Sequence, residues 1–206
     1  MKKLILLTLI LAMLAPCAIA EDASPRVLVA YLSRAGENYN VGVTREGSAS
    51  AAYAGYIEKG NTAMMAAVIA ELTGGDLFEI TTVTPYPEDY ASMLRVAQEE
   101  IDTDARPELA SHVENMADYD VIFIGYPIWH GQAPKILYTL LEGVDVAGKT
   151  IVPFCTSASS GAGSSASNLE KITDGATWLK ARRIDNHSTA EQIQSWALTA
   201  LAETGK

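Results

Sequence analysis

Three short apolar runs, each ending in a cluster of small or polar residues, constrain this chain more than any other feature. Val27-Leu28-Val29-Ala30-Tyr31 leads into Ser33-Arg34-Ala35. Val121-Ile122-Phe123-Ile124-Gly125 leads into Tyr126-Pro127-Ile128-Trp129-His130-Gly131. Ile151-Val152-Pro153-Phe154 leads into Cys155-Thr156-Ser157-Ala158-Ser159-Ser160-Gly161. Continuous apolar runs of this length between helical segments are the pattern of central strands in a parallel sheet covered on both faces. Ligands of such sheets lie beyond the carboxyl ends of the strands, where the strand order reverses. The three clusters are therefore expected to share one site. Two of them would supply hydroxyls and pliable backbone, and the middle one an exposed indole.

Strands and helices alternate along the rest of the chain, which predicts an α/β fold with a parallel sheet. Gly60-Asn61-Thr62 precedes a helical pattern at Met64, Met65, Val68, Ile69 and Leu72, and Gly74-Gly75 stops it. Leu77 to Val83 reads as a second strand. Tyr86-Pro87 introduces a helix through Leu94, Ala97 and Ile101, and Pro134 opens another through Leu141. A helix is expected around Leu169 to Ile172 and a weak fifth strand over Ala176 to Ile184. The last helix carries Ile193, Trp196, Ala197, Ala200 and Leu201, with Ser188 and Glu191 as its capping box. Residues Gly36 to Lys59 show no clear period and read as an insertion, and loops that long are often functional.

The first residues carry a different signal. Lys2-Lys3, an apolar stretch from Leu4 to Leu14 and Ala18-Ile19-Ala20 form a charged start, a hydrophobic core and a small-x-small cleavage pattern. Residues 1–20 are therefore expected to be a secretory signal, and the apolar stretch is short of the ~20 residues that span a bilayer. Lipid attachment at Cys17 is disfavoured by the adjoining Pro16. Export to the periplasm or the medium, with no stable membrane insertion after cleavage, is the expectation. Cleavage after Ala20 removes two lysines and no acid, which shifts the formal charge from -10 to -12. Such acidity argues against nucleic acid and anionic membranes as partners. Cys155 would then be the sole cysteine, and at the end of an apolar run it reads as a buried, inert thiol.

Several familiar sites are missing. No GxGxxG follows the first strand, no lysine completes a nucleotide-triphosphate loop at Gly60-Asn61-Thr62, and no serine sits in GxSxG. His112, His130 and His187 stand alone, without cysteines or carboxylates at metal-ligand spacing, so no metal is expected.

The remaining pattern resembles the flavodoxin-like family, over roughly Arg26 to Glu203. Ser33-Arg34-Ala35 followed by Gly60-Asn61-Thr62 looks like that family's phosphate-binding loop, split by residues 36–59. Helix-start amides with short hydroxyls suit a phosphate dianion, although the same residues also make an ordinary helix cap. Pro127-Ile128-Trp129-His130-Gly131 looks like the loop that sets an aromatic ring against a flavin. Thr156-Ser157-Ala158 with Gly161 resembles the third flavin-contacting loop. The resemblance implies a doubly wound, five-stranded parallel sheet of order 2-1-3-4-5 and non-covalently bound FMN. It implies electron transfer with a redox partner protein, or reduction of a small quinone-like acceptor. A flavin- or ligand-binding module without turnover is the alternative. Arg34 would either face the phosphate or brace the insertion, and His130 reads as a solvent-facing loop residue in preference to a proton donor for reduced flavin. The third loop lacks the aromatic that many electron carriers place there, which leaves one flavin face open unless Tyr39, Tyr53 or Tyr56 covers it. That opening favours reduction of a small acceptor.

Overall fold

The computed structural model describes residues 24–37, 56–57, 59–157, 159–185 and 188–205. Residues 1–23 with Cys17, residues 38–55 with Tyr39 and Tyr53, and also Ala158 and His187 lie outside them.

The first strand, β1 (Val27–Tyr31), lies in the middle of a parallel sheet. On one side it pairs with β4 (Asp76–Glu79). On the other it pairs with β5 (Val121–Pro127), which pairs in turn with β6 (Thr150–Thr156). β6 is followed outward by β7 (Thr177–Trp178) and β8 (Arg182–Ile184), both parallel to it. With β7 and β8 as two parts of the fifth strand, the order is 2-1-3-4-5. The order reverses between β1 and β5, so the carboxyl ends of β1, β5 and β6 flank the crevice where such sheets bind ligands.

The continuous apolar runs reflect burial on both sides. Val27, Val29, Val121, Phe123, Val152 and Phe154 face α1 (Asn61–Thr73) and α5 (Ala190–Glu203). Leu28, Ala30, Ile122, Ile124, Ile151 and Cys155 face α2 (Tyr90–Asp102), α3 (Ile136–Glu142) and α4 (Ser165–Glu170). Each fully buried Val, Leu, Ile or Phe contributes about 1.5–3 kcal/mol. Gly125, which ends the second run, serves this packing. A Cβ there would lie 2.1 Å from the Phe154 ring.

Three expectations shift. The second strand spans Asp76–Glu79 instead of Leu77 to Val83, because Thr82 leaves it to bridge Leu109. The fifth strand breaks at residues 179–181. The capping box of α5 is Thr189 with Gln192, one residue beyond Ser188 and Glu191, while the Ser188 amide turns back to the Asp185 carbonyl. At the ends of the insertion, β2 (Gly36–Glu37) pairs antiparallel with β3 (Tyr56–Ile57), a ribbon without a sequence signal. Among the described residues no helix is long and apolar enough to cross a membrane.

Candidate functional site

Thr156 joins the three loops. It closes β6, and its Oγ1 lies 2.9 Å from Oγ1 of Thr62 in the first turn of α1. Its carbonyl accepts the amide of Ile128 at 2.9 Å. Both threonines are buried, and their mutual hydrogen bond removes the penalty of burying either hydroxyl alone. Pro127 pairs with Thr156 in the ladder, so the loop after β5 starts at this joint.

The first loop is a cradle of backbone and hydroxyl. Ser33 Oγ accepts the Ala63 amide at 3.1 Å and donates to the Lys59 carbonyl at 2.8 Å. It thus caps α1 from outside the helix, as the ordinary-cap reading has it. The N-cap itself, Gly60, has φ 75° and no side chain to offer. A Cβ on Gly60 would sit 2.4 Å from Ser33 Oγ and 2.6 Å from the Arg34 carbonyl oxygen. Only glycine fits there. No capping side chain from Gly60 covers the first turn, where the amides of Asn61 and Thr62 form the positive end of a 13-residue helix. That arrangement suits an anion. Arg34 is a brace. Its Nη1 donates to the carbonyls of Glu88 at 2.7 Å, Pro87 at 3.3 Å and Ala35 at 3.4 Å, which ties the loop to the segment before α2.

The second loop differs from expectation at its central residue. Trp129 and Gln132 exchange backbone hydrogen bonds of 3.0 and 2.9 Å across a two-residue turn. His130 and Gly131 both have positive φ, 46° and 76°, as a type I′ turn requires. This turn puts His130 and Gly131 at the exposed tip and folds Trp129 inward, leaving it only 6% exposed. The indole therefore is not an exposed platform. It packs edge-to-face with Tyr86, ring centroids 4.8 Å apart and planes at 77°. His130 does face solvent, with Nε2 2.9 Å from the Leu94 carbonyl.

The third loop is pinned to the outer strand. Arg183 Nε donates to Ser157 Oγ at 3.0 Å and its Nη2 to the Ser157 carbonyl at 3.2 Å, while Ser157 Oγ donates to the Ser160 carbonyl. Gly161 is exposed. A Cβ on Gly163 would come within 3.7 Å of the Gly131 carbonyl oxygen, so the second and third loops run side by side. Cys155 is the buried thiol expected. Burial pushes it up to about 11 against the pull of Arg183, which keeps it protonated and unreactive.

Residues 50–200 match the flavodoxin family. The chain belongs to that family. A protein from Bacteroides eggerthii assigned as a flavoprotein is 32% identical, with a TM-score of 0.66 over 86% of this chain and 98% of that one. A second, from Bacteroides uniformis, is 31% identical, with a TM-score of 0.63 over 84% and 97%. A Lactobacillus acidophilus flavoprotein, solved in complex with FMN, shares the fold at 21% identity, with a TM-score of 0.56 over 77% and 93%. No curated protein matches.

In this flavodoxin-family chain two residues near the loops escape sequence reasoning. Tyr86 serves in sequence only to introduce a helix, yet it carries the contact to Trp129. Its hydroxyl donates to Glu100 Oε2 at 3.1 Å. Burial holds the Glu100 carboxyl above its ordinary value, against the Tyr86 hydrogen bond and the nearby Lys135 charge. Arg183 has one sequence signal, its place in a fifth strand, where it stands in register with Cys155.

Proposed function

We propose that this flavodoxin-family protein binds FMN at the three joined loops and acts as an exported redox protein. The observation that carries the reading is the Gly60 cradle, tied through Thr62 and Thr156 to the aromatic loop. The helix-start amides of Asn61 and Thr62 hold the phosphate, with Ser33 fixing the loop around Gly60. Trp129 takes the ring side, and the small third loop, with Ser157 fixed by Arg183, borders the polar edge. The family membership and the FMN complex of the Lactobacillus relative support the same cofactor. Bound FMN would supply the electron-accepting and electron-donating chemistry, and the protein its orientation. Because Trp129 is nearly fully buried, seating a ring on its indole requires the second loop to shift, and tryptophan fluorescence should respond to FMN.

The charged, apolar and small-x-small pattern of residues 1–20 supports export to the periplasm or medium, with no lasting membrane insertion. The acidic balance supports partners other than nucleic acid. The absence of an aromatic from Thr156 to Gly161 favours reduction of a small quinone-like acceptor over exchange with a protein partner, since a flat acceptor needs an open flavin face. Stopped-flow mixing of the anaerobically reduced, FMN-loaded protein with benzoquinone tests this. Fast reoxidation supports the reductase reading. Slow reoxidation with fast exchange to a protein acceptor supports a shuttle, and no reoxidation by either leaves a binding module.

A further inference from the structure

A cleft of about 280 Å³, with Tyr86 in its wall, lies between the 82–87 segment, α2 and the chain at Pro107. We infer that this cleft is a second ligand site, for a small neutral aromatic that carries a hydroxyl group. It goes beyond the FMN reading and requires no flavin. The walls are Pro85, Tyr86, Pro87, Val96 and Pro107, which offer flat or compact apolar surfaces. The volume falls just below the usual range of small-molecule pockets, ~300–1,000 Å³. That is room for one or two rings and too little for a flavin nucleotide.

One polar group decides the chemistry. The half-buried Glu100 carboxyl lines the cleft and is fixed by the Tyr86 hydroxyl at 3.1 Å. A carboxylate has about four lone-pair positions, so one hydrogen bond from Tyr86 leaves acceptor capacity for a ligand. Anions are disfavoured because Glu100 and Glu108 both line the cleft. Lys135, whose charge acts on Glu100, offsets only part of the pull of the two carboxylates on a cation, its own ammonium being held 2.6 Å from Asp104. The apolar walls favour a neutral donor over a charged one, which would lose its hydration there. An aromatic hydroxyl satisfies the carboxylate through a charge-assisted hydrogen bond while its rings meet the prolines and Tyr86. Tyr86 both lines the cleft and packs edge-to-face on Trp129.

The probe is β-naphthol, titrated into the flavin-free full chain by calorimetry, with its methyl ether as the partner that cannot donate. The expected result is saturable binding of β-naphthol, at least about tenfold tighter than the ether. Glu100→Gln keeps an acceptor for Tyr86 but loses the charge, and should weaken β-naphthol about tenfold. Val96→Trp fills the cleft and should abolish binding. Both variants should stay folded by thermal melting, and Val96→Trp should keep FMN uptake, because Val96 lies outside the three loops. Equal binding of naphthol and ether, unchanged binding in the folded Val96→Trp variant, or no saturable binding to the wild type would each overturn the proposal. Naphthol binding in a protein that takes up no FMN would uphold the cleft and reject the flavin reading alone.

Discussion

At Gly60 the chain makes room by having no side chain, whereas at Trp129 it fills the available room with two aromatic rings. The first end of the candidate site is held by short-range backbone and hydroxyl contacts. Ser33, Lys59 and Ala63 enclose Gly60, and a single added carbon would strike Ser33 Oγ at 2.4 Å. That end is already shaped for a small anion. The second end is a packing arrangement in which Trp129 spends its surface on Tyr86, a residue 43 positions earlier in sequence. One end is set by backbone and hydroxyls around a glycine, the other closed by its own aromatics. Perturbing the two ends should therefore give different ratios of lost stability to lost binding.

The largest effect is expected from Trp129→Ala. Truncating a buried tryptophan costs ~3–5 kcal/mol of stability. If the indole also takes the flavin ring, about 1.5–3 kcal/mol of apolar burial is lost from binding. That is roughly a ten- to hundredfold weaker FMN affinity, at ~1.4 kcal/mol per decade. Urea denaturation of the flavin-free protein and FMN titration separate the two numbers. A stability loss with unchanged FMN affinity would make Trp129 a core residue only.

Gly60→Ala should show the opposite balance. Overpacking costs ~1–3 kcal/mol of stability. The glycine-only backbone at φ 75°, ψ 159° costs a further ~1–3 kcal/mol. Urea denaturation identifies the conditions in which the variant is folded. FMN uptake should nonetheless be lost, because the loop must move where the phosphate would sit. A folded Gly60→Ala variant that takes up FMN normally would remove the cradle from the account.

The joint between the ends gives a smaller effect with a distinct signature. Thr62→Val or Thr156→Val each strands the partner's buried hydroxyl, at a cost of ~1–3 kcal/mol. The double variant strands neither, so its cost should fall well below the sum of the singles, a coupling of ~0.5–3 kcal/mol. Strict additivity in urea denaturation would show that the 2.9 Å contact does not join the loops.

The contrast between the two ends also explains what was legible in sequence. The runs at Val27, Val121 and Ile151 are apolar throughout because both faces are covered, so the parallel sheet could be read directly, whereas its order followed only from the resemblance to the flavodoxin-like family. Gly60-Asn61-Thr62 was legible because a helix start and its preceding glycine are neighbours in the chain. The inward turn of Trp129 was not. Proline, histidine and glycine around it signal a turn, but the direction in which the ring leaves that turn depends on Tyr86 and on α2. Arg34 escaped a single reading for the same reason, since its carbonyl partners, Pro87 and Glu88, are distant in sequence. The shifted cap of α5 has a local cause. Ser188-x-x-Glu191 and Thr189-x-x-Gln192 are overlapping boxes, and the turn back to Asp185 leaves Ser188 outside the helix.

The smallest effect is expected at Asp104. The Lys135 hydrogen bond, followed by that from Arg106, lowers this carboxyl from 3.8 to about 2. A lowered folded value means that the contribution is complete above 3.8 and fades as the pH falls toward 2. The side chain is exposed, so solvent and salt screen the gain. Asp104→Asn should reduce the urea midpoint slightly near neutrality, and the gap to wild type should close over that window. A gap that widened on acidification would reverse the assigned sign. FMN affinity should not change at any point.

The central claim is that the cradle and the aromatic loop form one FMN site, and ligand-free protein titrated calorimetrically with FMN, riboflavin and FAD tests it most directly. The account predicts that FMN binds much more tightly than riboflavin, because only FMN carries a phosphate for Asn61 and Thr62. It predicts weak binding of FAD, since no dinucleotide motif follows β1, and loss of the preference for FMN over riboflavin in Gly60→Ala. Equal affinity for FMN and riboflavin, equal affinity for FAD, or no uptake of FMN at all would contradict it.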